Sequence, residues 1–412
     1  MPGHPIHPEI RLLDPRFYVE RPHEHFRWLR EHAPLYWDPS CELFGVSLHE
    51  DIMFLSKHPE LFCSGRSSRP ERDSWTPSMI NLDDPAHRRR RNLVNRGFTP
   101  RRVADHEPKV RAICHELVDR VCERGECEFV REIAAPLPMI MIGDMLGVAA
   151  EDRDTLLRWS DELLGGGATR ALPEAARREH ARKVADEYVA YALRVLADRR
   201  ARPPQEDLIS ILCHAEIDGD RLTDEEIVQE SLLILVGGDE TTRHVITGGM
   251  QALIEHPAQR RALAAERARI PTAVEELLRW VTPIQNMNRT ATRDLELRGQ
   301  AIREGDRLLL LYPSGNRDAR VFREPERLDL ARDPNPHVAF GGFGAHFCLG
   351  APLARLELRV MFDVLLERLP DLEFATSEPL PLRPSNFIVG IEEMPLRFAP
   401  RAPRGRAAGR AA

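Results

Sequence analysis

The sequence predicts a mainly α fold with a minor β part, on three observations. From residue 85 to about residue 280, apolar residues recur at helical spacing with polar faces between them. Within that region Leu232-Leu233-Ile234-Leu235-Val236 is continuous, so 223–254 reads as a long central helix buried on most sides. Strand-like signals are short and fall near the two ends of the chain.

The chain begins with a Pro/His-rich lead, and both ends, about 1–10 and 401–412, read as disordered or irregular. A short amphipathic stretch follows at 22–32. Leu35-Tyr36-Trp37 and Leu43-Phe44-Gly45-Val46, parted by Asp38-Pro39-Ser40, read as a small hairpin. Residues 64–78 are Ser/Arg/Pro-rich without periodicity and read as a long loop, a type that more often serves function than not. Helices are expected over 85–97, 101–124, 137–147, 151–164, 173–200, 206–214, 223–254 and 257–280. Then come β-like pieces at 294–297 and 308–311, a Pro-rich irregular stretch, a last long helix over 351–368 and extended ends. No linker interrupts the pattern, so residues 1–412 read as a single domain.

Composition narrows the function classes. With 42% hydrophobic and 30% charged residues and a net charge of -7, the chain has no basic excess, and the run Arg88 to Arg91 reads as a solvated helix face. No nucleic-acid partner is expected. The 7 cysteines are scattered, without CxxC pairs, which argues for a reducing compartment and against a disulfide framework or zinc site. The first thirty residues lack an apolar signal region and no stretch resembles a membrane span, so a cytoplasmic protein is expected.

The strongest chemical signal is Phe340-Gly341-Gly342-Phe343-Gly344-Ala345-His346-Phe347-Cys348-Leu349-Gly350, which runs into a helix at Ala351-Pro352. A lone Cys is usually a small core residue. Here the glycines let backbone come close to something flat, and Cys348 falls at a helix N-terminus, where free N–H groups favour a thiolate. A solitary buried thiolate suits the fifth ligand of a haem iron.

The second signal is Gly237-Gly238-Asp239-Glu240-Thr241-Thr242 inside the apolar helix. Two interior glycines cost about 1 kcal/mol each relative to Ala and ask for a reason. One reason is close helix packing, with Thr241 bonding back to a carbonyl one turn earlier. Another is a helix bulge that opens a slot for dioxygen, with an acid and an alcohol beside it to relay protons. Two weaker signals are Glu276-Leu277-Leu278-Arg279, an i,i+3 ion pair, and His87 with Arg91 at i,i+4 in Asp84-Pro85-Ala86-His87-Arg88-Arg89-Arg90-Arg91.

Together these stretches resemble the cytochromes P450 over nearly the whole chain, in the family's order and spacing. Phe340 stands eight residues before Cys348, where the commonest family form has seven, and the extra Gly is similar to some bacterial members. The resemblance implies the triangular P450 fold, with haem b between the long central helix and the Cys-loop helix. It makes Cys348 the iron ligand, Glu240 and Thr241 the acid and alcohol, and Thr242 the second hydroxyl residue. It places Gly237, Gly238, Phe340, Gly341 and Gly350 against the haem, and His87, Arg91, Arg289 and His346 on its propionates. Glu276 and Arg279 resemble the family's structural Glu-x-x-Arg pair, with Arg323 or Arg327 expected as third member.

The implied reaction inserts one atom of dioxygen into a substrate C–H bond. No dinucleotide fingerprint is present, so electrons are expected from NAD(P)H through a separate ferredoxin reductase and ferredoxin, docked on Arg88, Arg90, Arg101 or Arg102. The expected pocket draws on the 64–82 loop, Leu235, 283–287 and 387–389, with Ile80, Val236, Ile284, Met287 and Ile388 lining it, for a small hydrophobic substrate. Residues 238–244, 286–289 and 383–387 resemble actinobacterial members that oxidise cholesterol-derived side chains, which implies a steroid or lipid. A hydroxylase of a macrolide or carrier-bound metabolite is the alternative within the family. A non-catalytic haem-thiolate sensor is the alternative from another class, though a sensor has no need of the Glu240-Thr241 pair.

Overall fold

A computed structural model describes residues 5–404 except 72–76, 167–168, 170–171 and 218. Most of the two ends expected to be irregular, and the centre of the 64–78 loop, therefore lie outside the described residues.

The helices are α1 (Pro22–His32), α2 (His49–Lys57), α3 (Ala86–Val94), α4 (Pro100–Asp105), α5 (Glu107–Val121), α6 (Pro136–Leu146) and α7 (Arg153–Leu163). They continue as α8 (Glu174–Arg200), α9 (Leu208–His214), α10 (Asp224–Glu255), α11 (Pro257–Ala265), α12 (Ile270–Val281), α13 (Tyr312–Gly315) and α14 (Ala351–Arg368). Prolines account for the differences from expectation. The helix expected over 101–124 divides at His106 because Pro108 sits in the first turn of α5, and that over 257–280 divides because Pro271 opens α12. α10 begins at a reciprocal box in which Thr223 accepts from Glu226 N–H and Glu226 accepts from Thr223 N–H.

The expected hairpin is present as β1 (Leu35–Asp38) and β2 (Leu43–Val46), antiparallel with Leu35 opposite Val46. It joins a five-stranded sheet with β3 (Phe62–Cys63), β5 (Asn286–Ala291) and β8 (Arg307–Leu311), in the order β1-β2-β8-β5-β3. β4 (Glu126–Glu128), β9 (Glu373–Phe374) and β10 (Pro395–Arg397) form a three-stranded sheet, and β6 (Leu295–Leu297) pairs with β7 (Gln300–Ile302). β5 has no apolar alternation to betray it. Its Asn286, Asn288, Arg289 and Thr290 are nonetheless buried: the ladder to β8 takes up backbone groups, Asn286 Nδ2 donates to the Asn386 carbonyl and Asn288 Nδ2 to the Ser67 carbonyl.

α10 packs on α6, α7, α12 and α14, so both faces of the most apolar helix are covered. The buried Glu276 carboxylate fixes the region before α14. Arg279 donates to it from Nε and Nη2 at 2.8 and 2.7 Å, and Arg332 Nε lies 3.0 Å away. Arg332, and not Arg323 or Arg327, is thus the third member of this cluster. The side chains of Arg323 and Arg327 are 93% and 67% exposed, because this stretch turns its backbone carbonyls inward to Arg279 and Arg332 instead.

Candidate active site

The central cavity lies between α10 and the loop that enters α14, closed on other sides by α3, the 79–80 turn and β5. Cys348 is held by its own loop: its N–H donates to the Phe340 carbonyl at 3.0 Å, and Gly350 caps α14, with Pro352 in the first turn. Gly341 has φ +97°, and a side chain on Gly344 would run into the backbone carbonyl of Ser56 in α2. Both glycines are therefore needed for the loop to bring the sulfur to the cavity. Phe340 borders the cavity with the Arg355 guanidinium 4.6 Å over its ring.

Cys348 is exposed on the cavity side, and protein packs around its sulfur. That enclosure pushes the thiol above its usual range, while the N–H groups of Gly350 and Ala351 and the charge of Arg91 act the other way. The helix start alone, expected to favour a thiolate, does not overcome desolvation. A metal cation at the sulfur would be needed to hold a thiolate here.

α10 is unbroken through Gly237-Gly238, so of the two readings of these glycines the structure has the close packing and not the bulge. Thr241 Oγ1 donates to the Gly237 carbonyl at 2.9 Å, the intrahelical bond open to any mid-helix Thr. The glycines act by leaving space: Gly237 faces the open cavity, whereas Gly238 lies against Ile142 of α6, which a Cβ would strike. Thr241 and Thr242 both line the cavity.

Glu240 points away from it, fully buried, with Arg243 Nη2 at 2.5 Å, Arg383 Nη1 at 3.1 Å and His244 Nε2 at 3.3 Å. Burial alone would raise this carboxyl, and Arg243, His244 and Arg383 instead hold it at about 2. The spacing of Glu240 to Arg243 and His244 was legible as i,i+3 and i,i+4, but Arg383 has no local signal.

His87 and Arg91 share the cavity face of α3, and Arg289 reaches in from β5. The His87 and His346 rings lie 4.1 Å apart, and His346 is pushed down to about 2 by burial and by the facing charges of Arg289, His87 and Arg91. Ile80, Ile284 and Met287 line the cavity as expected from the sequence. Val236 and Ile388 do not; Leu233 and Ile234 hold the corresponding wall, because the helical face containing Gly237 and Thr241 also contains Ile234. Arg90 is not a surface cation either. It is buried between Glu226 and Glu230, whereas Arg88 and Arg101 are exposed.

The sequence pattern of the family described as Cytochrome P450 matches residues 168–395. The chain belongs to that family. This P450 is 46% identical over 403 residues to a "Steroid C26-monooxygenase" of Mycobacterium tuberculosis, covering 97% of this chain and 99% of the relative. A "Methyl-branched lipid omega-hydroxylase" of the same species is 41% identical over 393 residues, covering 91% and 90%. Among solved structures, a Mycobacterium marinum cytochrome P450 in complex with pseudoionone superposes with a TM-score of 0.87 at 36% identity, covering 96% of this chain and 100% of that one.

This P450 is accordingly a haem-iron monooxygenase that uses dioxygen, acts on a hydrophobic substrate and draws electrons from a redox partner. Its cavity fits the group. Among the described residues neither Arg91 nor Arg289 meets a carboxylate, and His87 Nε2 is buried without a hydrogen-bond partner, a donor set suited to two propionates. No described helix is long and apolar enough to cross a membrane.

Proposed function

We propose that this P450 hydroxylates the end of a branched alkyl chain, on a steroid or a branched lipid. The observation that carries the reading is the cavity wall around Thr241: Met79, Ile80, Leu233, Ile234, Ile284 and Met287 present only hydrocarbon and thioether. Such a wall desolvates an alkyl terminus without stranding a polar group. The names of the two mycobacterial relatives agree, since C26 and omega both denote the far end of a hydrocarbon branch.

In this reading Cys348 ligates the iron, and Arg91, Arg289, His87 and His346 hold the propionates. Gly237, Gly238, Phe340, Gly341 and Gly350 shape the slot. Bound haem supplies the activation of dioxygen. The chain supplies the rest: Thr241 holds a hydroxyl at the cavity edge, Thr242 a second, and Glu240 behind them keeps an ionised carboxylate for proton delivery. Electrons come from NAD(P)H through a ferredoxin reductase and an acidic ferredoxin docking over Arg88, Arg101 and Arg102. The free cysteines fit a cytoplasmic location.

The test is a spectral titration of the purified protein with 4-en-3-one sterols, methyl-branched and straight-chain fatty acids and macrolide precursors, followed by product identification. A spin-state change with sterols or branched lipids and oxygen on a terminal methyl is expected. A response confined to macrolide or carrier-bound substrates overturns the proposal.

A further inference from the structure

Glu230 lies on α10 at spacings of 4, 7 and 11 residues from Ile234, Gly237 and Thr241, hence on the helical face that looks into the cavity. It is fully buried, a costly position for a carboxylate. Its Oε1 accepts from the backbone N–H of Met79 at 2.7 Å and from Arg90 Nη1 at 3.0 Å. Its Oε2 is buried without a hydrogen-bond partner. Arg90 in turn donates to the Pro77 carbonyl and, at 2.9 Å, to Glu226 Oε1.

What Glu230 and Arg90 hold is the short 3-10 turn Met79–Asn81, which carries Met79 and Ile80 into the cavity wall. Further bonds of this loop run elsewhere: Asn288 of β5 donates to the Ser67 and Ser68 carbonyls at 2.9 and 2.8 Å, Asn81 Oδ1 accepts from Ser68 N–H at 2.7 Å, and Asp83 accepts from Ser64 and Gly65 N–H at 2.7 and 2.9 Å. Those bonds tie the loop to itself and to β5. The Glu230 and Arg90 bonds tie it to the helix that carries Thr241.

We infer that Glu230 is a positioning residue for substrate: it sets the distance between the Met79–Ile80 wall and the oxygen-activating helix, and so decides which carbon of a bound chain stands beside Thr241. The inference rests on the monooxygenase reading of this cavity but not on the identity of the substrate. Removing the carboxylate slackens the wall while leaving the iron ligand, the propionate cations and the Glu240 cluster untouched.

The test uses haem-loaded Glu230→Leu and Arg90→Met, the second retaining the bond to Met79 N–H while losing the clamp on Pro77. Hydrogen exchange at the Met79 amide is expected to speed up about tenfold or more in Glu230→Leu, the loss of one buried charge-assisted bond. Dissociation of the bulky probe 4-phenylimidazole should quicken in both variants, while that of imidazole, too small to feel the wall, stays as in the parent. With a turned-over lipid, oxidation should spread from the terminal carbon to its neighbours. If Glu230→Leu fails to fold, Arg90→Met still reads the probe off-rates. Unchanged Met79 exchange, or equal acceleration of both probes, overturns the inference. Absence of any sterol response in the parent, with phenylimidazole release still governed by Glu230, overturns the substrate proposal and supports this one.

Discussion

Arg383 Nη1 lies 3.1 Å from Glu240 Oε2, and the same guanidinium reaches Asp161 Oδ1 at 2.7 Å and Glu392 Oε1 at 2.7 Å. One cation from the C-terminal segment thus joins the acid of α10 to α7. Arg383→Gln removes a compensating charge from a buried carboxylate. Breaking such a pair costs about 3–5 kcal/mol when nothing replaces it, and less here because Arg243 remains. A lower urea midpoint is expected, together with fewer products per electron and more peroxide, as the Glu240 carboxyl climbs from about 2 toward its ordinary range. Equal coupling in variant and parent removes Arg383 from any part in proton delivery.

Thr241 spends its hydroxyl proton on the Gly237 carbonyl in this structure, leaving its oxygen free to accept at the cavity edge. Thr241→Ala should therefore bind substrate with little change in the spectral Kd. Product formation should fall by about a hundredfold, the lower end for a lost proton-transfer group, with the electrons recovered as peroxide. Stopped-flow decay of the oxygenated ferrous protein and a peroxide assay measure this. Unaltered turnover and peroxide yield would take Thr241 out of proton delivery.

Arg332 shares the Glu276 carboxylate with Arg279, whereas Arg327 is exposed and pairs with Glu324 at 3.2 Å. Arg332→Ala should cost several kcal/mol and reduce haem retention, since it leaves buried negative charge undercompensated. Arg327→Ala should change stability by less than about 0.5 kcal/mol. Denaturant unfolding and the haem-to-protein absorbance ratio separate the two; a reversed order refutes the assignment of the trio.

Glu357 on α14 is buried, and burial, aided by the nearby Asp239 charge, pushes its carboxyl up to about 8. A folded-state value raised above the ordinary 4.5 means a stabilising share that is present below that ordinary value and lost as pH rises through about 8. Glu357→Gln, neutral at every pH, should match the parent near pH 5 and exceed its Tm by roughly 2–4 °C near pH 8.5. A Tm difference independent of pH between these values contradicts a raised carboxyl.

The helices and the chemistry-bearing motifs were legible because their signals are local. Periodicity over 223–254, the glycines before Cys348 and the Gly237-Gly238 pair each lie within one or two turns of chain, and the structure brings Cys348, Thr241, His87, Arg91 and Arg289 around one cavity. The helix divisions at His106 and before Ile270 were also written in the sequence, at Pro108 and Pro271, but a periodic pattern outweighed single prolines. β5 was hidden because its buried Asn286 and Asn288 find partners far away in sequence, Tyr18 and Ser67.

The sequence by itself determined the family, and it singled out Cys348 as the proposed sulfur ligand and Glu240 with Thr241 as the proposed acid–alcohol pair, because each signal depends on residue type and short spacing along one segment. Tertiary structure alone decided the partners: Arg332 over Arg323 for Glu276, Arg383 for Glu240, Glu230 for the Met79 amide, and the inward turn of Arg90. The physical reason is desolvation. A buried carboxylate takes whichever cation or N–H the packing of distant elements brings within about 3 Å, and that choice is made by how helices and loops stack, not by anything adjacent in the chain.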